Sequence, residues 1–274
     1  MNLADMLGAA FRAAVTAARA VPPPAPVPAP VAEPRQAAPT KDLLSFAQRQ
    51  IDLALLCIAF PANRPGELAK WVKPTQDACF KWGIDEFREV ASFLANINVE
   101  SAGLTRLEES LNYSVDALIA KFGRHRISVA DAQRYGRKTN AKGIVIQRAD
   151  QQALANILYG GEWGRVNLGN TQPTDGWDCR GFGPKQVTGR RNQTRFAQAM
   201  GMTLPQAQAY MRTPEGGMMA AGWFWQSHDL DAKAATPGVR DDRIAINGGT
   251  FGLAEVEIGF DRLIEELLRR EREQ

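Results

Sequence analysis

Two glutamates, Glu100 and Glu109, stand nine residues apart on either side of Gly103. Glu100 falls on or beside the apolar face of a predicted helix, on which residues recur at three- and four-residue steps: Phe87, Val90, Ala91, Leu94 and Ile97. Gly103 is a stop signal for that helix. In the last turn, the helix dipole and partial burial both favour a protonated carboxyl, the form that a general acid requires. The alternative is a glutamate at a helix end that simply reaches water.

Glu109 lies beyond the predicted turn, so the two carboxyl groups could flank a cleft. A separation of roughly 6.5–9.5 Å leaves room for a water between an acid and a base, as in inverting glycoside hydrolysis. Glu108 competes for the second role, because periodicity does not distinguish two adjacent glutamates in a loop. Cleavage of a sugar–sugar bond by two carboxyl groups is therefore the first chemical hypothesis.

The composition indicates one sizeable globular domain with an appendage: 274 residues, 45% hydrophobic and 23% charged. A formal net charge of +3 suits an anionic polymer such as a bacterial cell wall, but it is too small to indicate a nucleic-acid partner. The three cysteines and two histidines show no metal-ligand spacing. No apolar run reaches the ~18 residues of a membrane span.

The first 40 residues differ in character from the rest. Residues 1–20 have one apolar and one polar face, which predicts an amphipathic helix that docks or anchors the chain, with a frayed tail as the alternative. They lack the basic start and the uninterrupted apolar core of a signal peptide. Residues 21–40, rich in Pro and Ala, predict an extended and semi-stiff linker. The globular domain then occupies residues 41–274.

The globular part is predicted to be mainly α, since almost no alternating strand pattern is present. Ser114 and Ser128 are the expected N-caps of two helices. The glycine-rich stretch 159–183 is expected to be a long functional loop. An opening helix is expected from Leu43 to Leu55, and further helices over 67–82, 148–158, 193–200, 204–211, 214–226 and 256–272. In the last of these, the residues expected to face inward are Ile258, Phe260, Leu263, Ile264, Leu267 and Leu268.

Five separated segments, taken in order, resemble the family 19 glycoside hydrolases, and in particular their bacteriophage endolysin branch. The segments are residues 93–104, 107–114, 159–161, 175–192 and 246–253. Each is weak alone, but their shared order across about residues 60–265 makes the resemblance specific. It implies a lysozyme-like helical domain split by a substrate cleft. It also implies hydrolysis, with inversion, of a β-1,4 bond between amino sugars.

The resemblance also implies roles for individual residues. Glu100 matches the general acid, and Glu109 matches the general base that activates water, which favours Glu109 over Glu108. Thr188 matches the hydroxyl residue that helps to hold this water. The candidates for substrate binding are Gln186, Asn192, Asn247, Tyr113 and Arg180. Amide side chains suit sugar subsites, because they offer both a donor and an acceptor. No metal or organic cofactor is expected.

The chain departs from the family pattern at several positions. Val99 stands where phage relatives usually have a histidine, and Phe182 replaces an arginine. Pro184 and Lys185 stand where the family has a Leu-Ile pair. Residues 254–256 are Ala-Glu-Val, where the family has Ala-Asp-Arg. These changes are expected to alter the sugar subsites or the pH optimum, or to mark a weakened enzyme.

The sequence therefore predicts a phage-type endolysin that cleaves peptidoglycan glycan strands. The alternatives are a chitinase and a non-catalytic module that binds the cell wall or belongs to a virion. Residues 1–20 are expected to contact a phage particle or a membrane, and no nucleic-acid partner is expected. The expected location is the host cytoplasm and then the periplasm and cell wall, or the virion.

Overall fold

The computed structural model describes residues 44–230 and 238–273. These residues are mainly helical, which confirms the predicted fold class. The predicted amphipathic segment 1–20 and the linker 21–40 lie outside the described residues. None of the described helices is long and apolar enough to cross a membrane.

The helices of the described residues, in chain order, are α1 (Phe46–Arg49), α2 (Leu53–Ala59), α3 (Pro65–Leu68), a 3-10 turn (Ala69–Trp71), α4 (Val72–Trp82), α5 (Phe87–Ser101), α6 (Val115–Lys121), α7 (Val129–Tyr135), α8 (Gln151–Tyr159), α9 (Gly161–Leu168), α10 (Asp175–Asp178), α11 (Arg190–Ala199), α12 (Leu204–Met211), α13 (Pro214–Ser227), α14 (Arg240–Asn247) and α15 (Leu253–Arg272). Strands β1 (Lys138–Thr139) and β2 (Val145–Gln147) form an antiparallel hairpin between α7 and α8. The described chain divides into two compact units. The first contains the described residues up to Leu107, Phe182–Gln186 and the described residues from Phe196 onward, and the second contains Glu108–Gly181 and Val187–Arg195.

The core of the first unit is built on two helix pairs, in which α5 packs against α15 and α4 packs against α13. Phe93 of α5 and Trp225 of α13 meet edge to face with ring centroids 5.5 Å apart. Both rings are almost completely buried, and burial of each stabilises the unit by about 1.5–3 kcal/mol. Helix α5 ends where Ala102 adopts a left-handed conformation, directly before Gly103.

In the second unit, the two predicted serine caps are present. The Ser114 hydroxyl accepts a hydrogen bond from the Ala117 amide, and the Ser128 hydroxyl accepts one from the Asp131 amide. Each cap satisfies an amide that the first turn of a helix leaves without a partner. The β-hairpin was not predicted, because strands of two and three residues carry no readable alternation.

Several other predictions were wrong in detail. The opening helix is two short helices, because the Asp52 carboxylate accepts from the Leu55 amide and starts a new helix there. Residues 159–183 are not one loop, since they contain α9 and α10. Ile258 and Leu268 of α15 are 53% and 39% exposed rather than inward-facing. The buried residues of that helix are Val256, Phe260, Leu263 and Leu267.

Candidate active site

Glu100 lies in the last turn of α5, as predicted, and its side chain is only 4% exposed. It does not simply reach water. Oε1 accepts a hydrogen bond of 2.7 Å from Nη1 of Arg243, and Oε2 lies 3.5 Å from Nζ of Lys185. Two cations from distant parts of the first unit therefore hold the two oxygens of one buried carboxyl group.

A polar stripe runs along the otherwise apolar α5 and consists of Ser92, Asn96 and Glu100. These residues are four positions apart, so they share one helix face. The Ser92 hydroxyl donates a hydrogen bond to the Asp242 carboxylate, and Asn96 Oδ1 lies 3.5 Å from Nη1 of Arg243. The stripe thus faces the start of α14, and Glu100 is its last member.

Arg243 is completely buried, and α14 positions it. Its Nε donates to the carbonyl of Phe251 at 2.7 Å, and its Nη1 donates to Glu100. Gly252, which follows Phe251, has a positive φ of 73°, and a Cβ there would lie 2.9 Å from Val99 Cγ1 and 3.3 Å from Nη2 of Arg243. The turn after α14 therefore needs a glycine to close over this guanidinium group.

Lys185 reaches Glu100 because its segment packs very closely on α13. Gly183 lies against Gly217, where a Cβ on Gly217 would come within 2.7 Å of Pro184 Cδ. The Lys185 ammonium also lies 3.4 Å from the Ile246 carbonyl and 4.3 Å from the centre of the Phe224 ring. Burial lowers the pKa of Lys185, and the neighbouring Glu100 partly offsets this effect.

Glu109 belongs to the second unit, and both of its carboxylate oxygens accept hydrogen bonds. Oε1 accepts one of 2.6 Å from the Tyr159 hydroxyl, and Oε2 accepts one of 3.0 Å from the Gly181 amide. The Glu109 amide in turn donates to the Gly181 carbonyl. Burial of the carboxyl group raises the pKa of Glu109, and the two hydrogen bonds oppose that rise.

Tyr159 ends α8 and is completely buried. Burial, with a smaller contribution from Glu109, raises the pKa of Tyr159 well above 10.0. The phenol therefore stays protonated, and its O–H group donates a hydrogen bond to Glu109. Asn170 Nδ2 donates to the Tyr159 carbonyl at 2.8 Å, and this contact ties α8 to the segment after α9.

Glu108, the alternative candidate for the general base, contacts a different partner from that of Glu109. It forms an ion pair with Arg180, and its side chain is 43% exposed. Arg180 is buried, its guanidinium lies 3.6 Å from the centre of the Trp177 ring, and its Nη1 donates to the Trp177 carbonyl. The side chain of Arg180, a predicted substrate-binding residue, thus contacts Glu108 and Trp177 within the second unit.

Two further candidates also use their side chains inside the protein. Asn247 is completely buried, where its Nδ2 donates to the Phe251 carbonyl and its Oδ1 accepts from the Gly249 amide. It therefore closes the turn that holds Arg243, rather than facing a subsite. Gln186 adopts a positive φ of 55°, and its Nε2 donates to the Gly183 carbonyl at 2.9 Å.

The structure brings together Thr188 and Asn192, since Asn192 Nδ2 donates to the Thr188 carbonyl at 3.2 Å. Both side chains are half-buried. Tyr113 is also half-buried, with its ring edge to face against Phe122 and with Nζ of Lys121 5.3 Å from its centre. These three residues keep part of their surface open to a ligand.

The departures from the family pattern have structural consequences. Phe182 is completely buried, and the Arg212 guanidinium lies 3.8 Å from the centre of its ring. A cation is therefore present beside Phe182. Lys185, another departure, contributes the second cation at Glu100.

Sequence reasoning did not select Arg243, Lys185 or Tyr159 as site residues. Their partners are 143, 85 and 50 positions away, which no local period reveals. The available signal was the recurrence of Ser92, Asn96 and Glu100 on an apolar helix, which called for polar partners elsewhere. Among the described residues, no three His, Cys, Asp or Glu side chains form a group that could hold a metal ion.

No protein-family model matches the chain. A Haemophilus influenzae protein, described as a glycosyl hydrolase family 19 domain-containing protein, is 29% identical over 165 residues, which cover 60% of this chain and 73% of the relative. A crystal structure of chitinase C from Streptomyces griseus is similar with a TM-score of 0.45 and 17% identity, over 80% of this chain and 76% of that one. The curated relative confirms the resemblance to family 19 glycoside hydrolases that the five segments indicated.

Proposed function

From the relationship of this chain to the family 19 glycoside hydrolases, we propose that it hydrolyses β-1,4 bonds in the glycan strands of bacterial peptidoglycan, as a phage-type endolysin. The observation that carries the proposal is the surroundings of the two glutamates. Each carboxyl group is held by partners distant in sequence, Glu100 by Arg243 and Lys185 and Glu109 by Tyr159. A glutamate that only solubilises the surface needs no such partners.

In the proposed reaction, Glu100 donates a proton to the glycosidic oxygen as the bond from that oxygen to the anomeric carbon breaks. Glu109 accepts a proton from a water molecule, and the oxygen of this water forms the new bond to the anomeric carbon from the opposite face. Thr188 helps to hold the water. The products are two shorter glycans, one with a new reducing end of inverted configuration.

Arg243 and Lys185 position the proposed general acid. Nη1 of Arg243 donates to Oε1 of Glu100 at 2.7 Å, and Nζ of Lys185 lies 3.5 Å from Oε2. Both oxygens of the carboxyl group are therefore oriented before substrate arrives.

The surroundings of Glu109 suit a base. Burial raises its pKa, and a carboxylate with a raised pKa accepts a proton from water more readily. Tyr159 and the Gly181 amide fix both oxygens, so the group is oriented before substrate arrives. Half-buried Gln186, Asn192 and Tyr113 remain the proposed sugar contacts, whereas Arg180 and Asn247 act as supports for the fold around the site.

Clearing of a suspension of purified peptidoglycan tests the proposal. Wild type is expected to lower the turbidity, and Glu100→Gln and Glu109→Gln are each expected to abolish this activity. The matched controls are Glu215→Gln in the first unit and Glu162→Gln in the second, because both glutamates are exposed on helices. These controls should clear the suspension at the wild-type rate.

Three other outcomes would contradict the proposal in different ways. Clearing that survives both substitutions would remove the two glutamates from the mechanism. Release of soluble oligomers from chitin, without clearing of cell walls, would identify a chitinase. Sedimentation with cell walls in the absence of any hydrolysis would identify a binding module, to which residues 1–20 would add a virion or membrane anchor.

A further inference from the structure

The hairpin of β1 and β2 exposes three consecutive aliphatic side chains. Ile144, Val145 and Ile146 are 59%, 46% and 66% exposed. All three side chains are therefore open to solvent, with Ile144 just before β2 and the other two within it. The pairing of Lys138 with Gln147 and of Thr139 with Val145 leaves Ile146 as the extra residue of a bulge.

This exposure is a fixed feature of the second unit. At the tip, Oδ1 of Asn140 accepts hydrogen bonds from the amides of Lys142 and Ile144. At the base, Nε2 of Gln147 donates to the Gly136 carbonyl at 2.6 Å and lies 3.1 Å from the Arg134 carbonyl. The hairpin is therefore held at both ends, with its aliphatic side chains directed away from the core.

The same segment has a strong positive charge. Residues 132–149 include five cationic side chains and no Asp or Glu, whereas the whole chain has a net charge of only +3. The five are Arg134, Arg137, Lys138, Lys142 and Arg148. Lys142 and Arg148 lie two positions before and two positions after the aliphatic run, and both are exposed.

We propose that this hairpin is a docking element for an anionic lipid bilayer, into whose interface Ile144, Val145 and Ile146 insert while the flanking cations bind lipid phosphates. Aliphatic side chains beside basic residues are the combination that a membrane interface accommodates. An anionic sugar polymer would satisfy the cations but would leave the three aliphatic side chains in water. This inference is independent of the hydrolysis proposed above.

Co-sedimentation of the full chain with vesicles tests the inference. Wild type is expected to bind vesicles of phosphatidylglycerol and phosphatidylcholine, to bind pure phosphatidylcholine vesicles much more weakly, and to be released as salt is raised. The double variant Ile144→Ser, Ile146→Ser should reduce the partition coefficient about tenfold or more. The variant Val166→Ser is the matched control, because Val166 is a 53% exposed aliphatic residue of the same unit outside the hairpin.

Some results would overturn the inference. Wild type that binds neither vesicle, or binding that the double variant leaves unchanged, would exclude the hairpin as a lipid-docking element. A change from dimer to monomer in the double variant, measured by analytical ultracentrifugation without lipid, would assign the hairpin to self-association. Loss of binding to purified peptidoglycan in the double variant, with no vesicle binding by wild type, would assign the hairpin to the cell wall.

Discussion

Nζ of Lys185 lies 3.5 Å from Oε2 of Glu100, and both side chains are almost completely removed from solvent. A salt bridge so deeply buried is rarely maintained for stability alone, because desolvation of both charges offsets most of their attraction. The contact instead fixes the orientation of Oε2 of Glu100 at the end of α5.

Lys185→Met removes the cation beside Oε2 of Glu100, whereas Lys185→Arg keeps a positive charge there. A hydrogen bond to a charged group contributes about 1.5–3 kcal/mol, so we expect kcat to fall roughly tenfold to 100-fold in Lys185→Met and by less in Lys185→Arg. The rate of peptidoglycan hydrolysis provides the measurement, with cell-wall sedimentation as the check that binding persists. Near-normal kcat in Lys185→Met would show that Glu100 does not need this cation.

Arg243→Met should strongly destabilise the first unit. It leaves the buried Glu100 carboxylate without its 2.7 Å partner, and breaking a buried pair in this way costs about 3–5 kcal/mol. Urea denaturation measures the loss, and the double variant Glu100→Gln, Arg243→Met should recover part of it. Arg269→Met is the control, because that arginine is 48% exposed, and its surface ion pairs contribute about 1 kcal/mol or less. Equal losses in the two single variants would refute a special role for Arg243.

Tyr159→Phe removes the hydrogen bond to Oε1 of Glu109 and little else. A hydrogen bond to a charged group contributes about 1.5–3 kcal/mol, so we expect kcat to fall roughly tenfold to 100-fold. Steady-state hydrolysis at saturating substrate measures this fall. Tyr135→Phe, which alters a half-buried tyrosine of the same unit, should keep the wild-type rate. Unchanged kcat in Tyr159→Phe would mean that Glu109 needs no such orientation.

Glu109 should make stability depend on pH in a defined direction. Burial raises its pKa in the folded chain above the ordinary 4.5, so the folded state keeps a proton that the unfolded state has lost. The resulting stabilisation is fully present below pH 4.5 and disappears as pH rises through the raised pKa. Urea unfolding from pH 4 to 8 should therefore show wild type losing stability relative to Glu109→Gln. A relative gain over this range would place the pKa below 4.5.

The sequence signals that succeeded were local ones. Ser114 and Ser128 start helices because a serine hydroxyl can accept from an amide three residues ahead, and the spacing of that contact is readable. The inward assignment of Ile258 failed because it lies two residues, or about 200° of helix rotation, from buried Val256. Hydrophobicity alone did not reveal which of the two residues faces the core.

For a related reason, the sequence predicted the two glutamates of the candidate site but not the residues that contact them. The motif resemblance selected Glu100 and Glu109, but it did not supply the partners that hold their carboxyl groups. Arg243 and Lys185 lie beside Glu100 because α14 and the segment at Gly183 pack against other helices. The same packing buries Asn247, whose amide type suggested sugar binding but whose position makes it part of a turn.

Analysis of the products that the chain releases from purified peptidoglycan tests the central claim most directly. Mass spectrometry combined with a reducing-end assay should show one new reducing sugar for each cut, and none from Glu100→Gln or Glu109→Gln. Soluble fragments without new reducing ends, or reducing ends formed by either variant at the wild-type rate, would contradict hydrolysis by this pair of carboxyl groups.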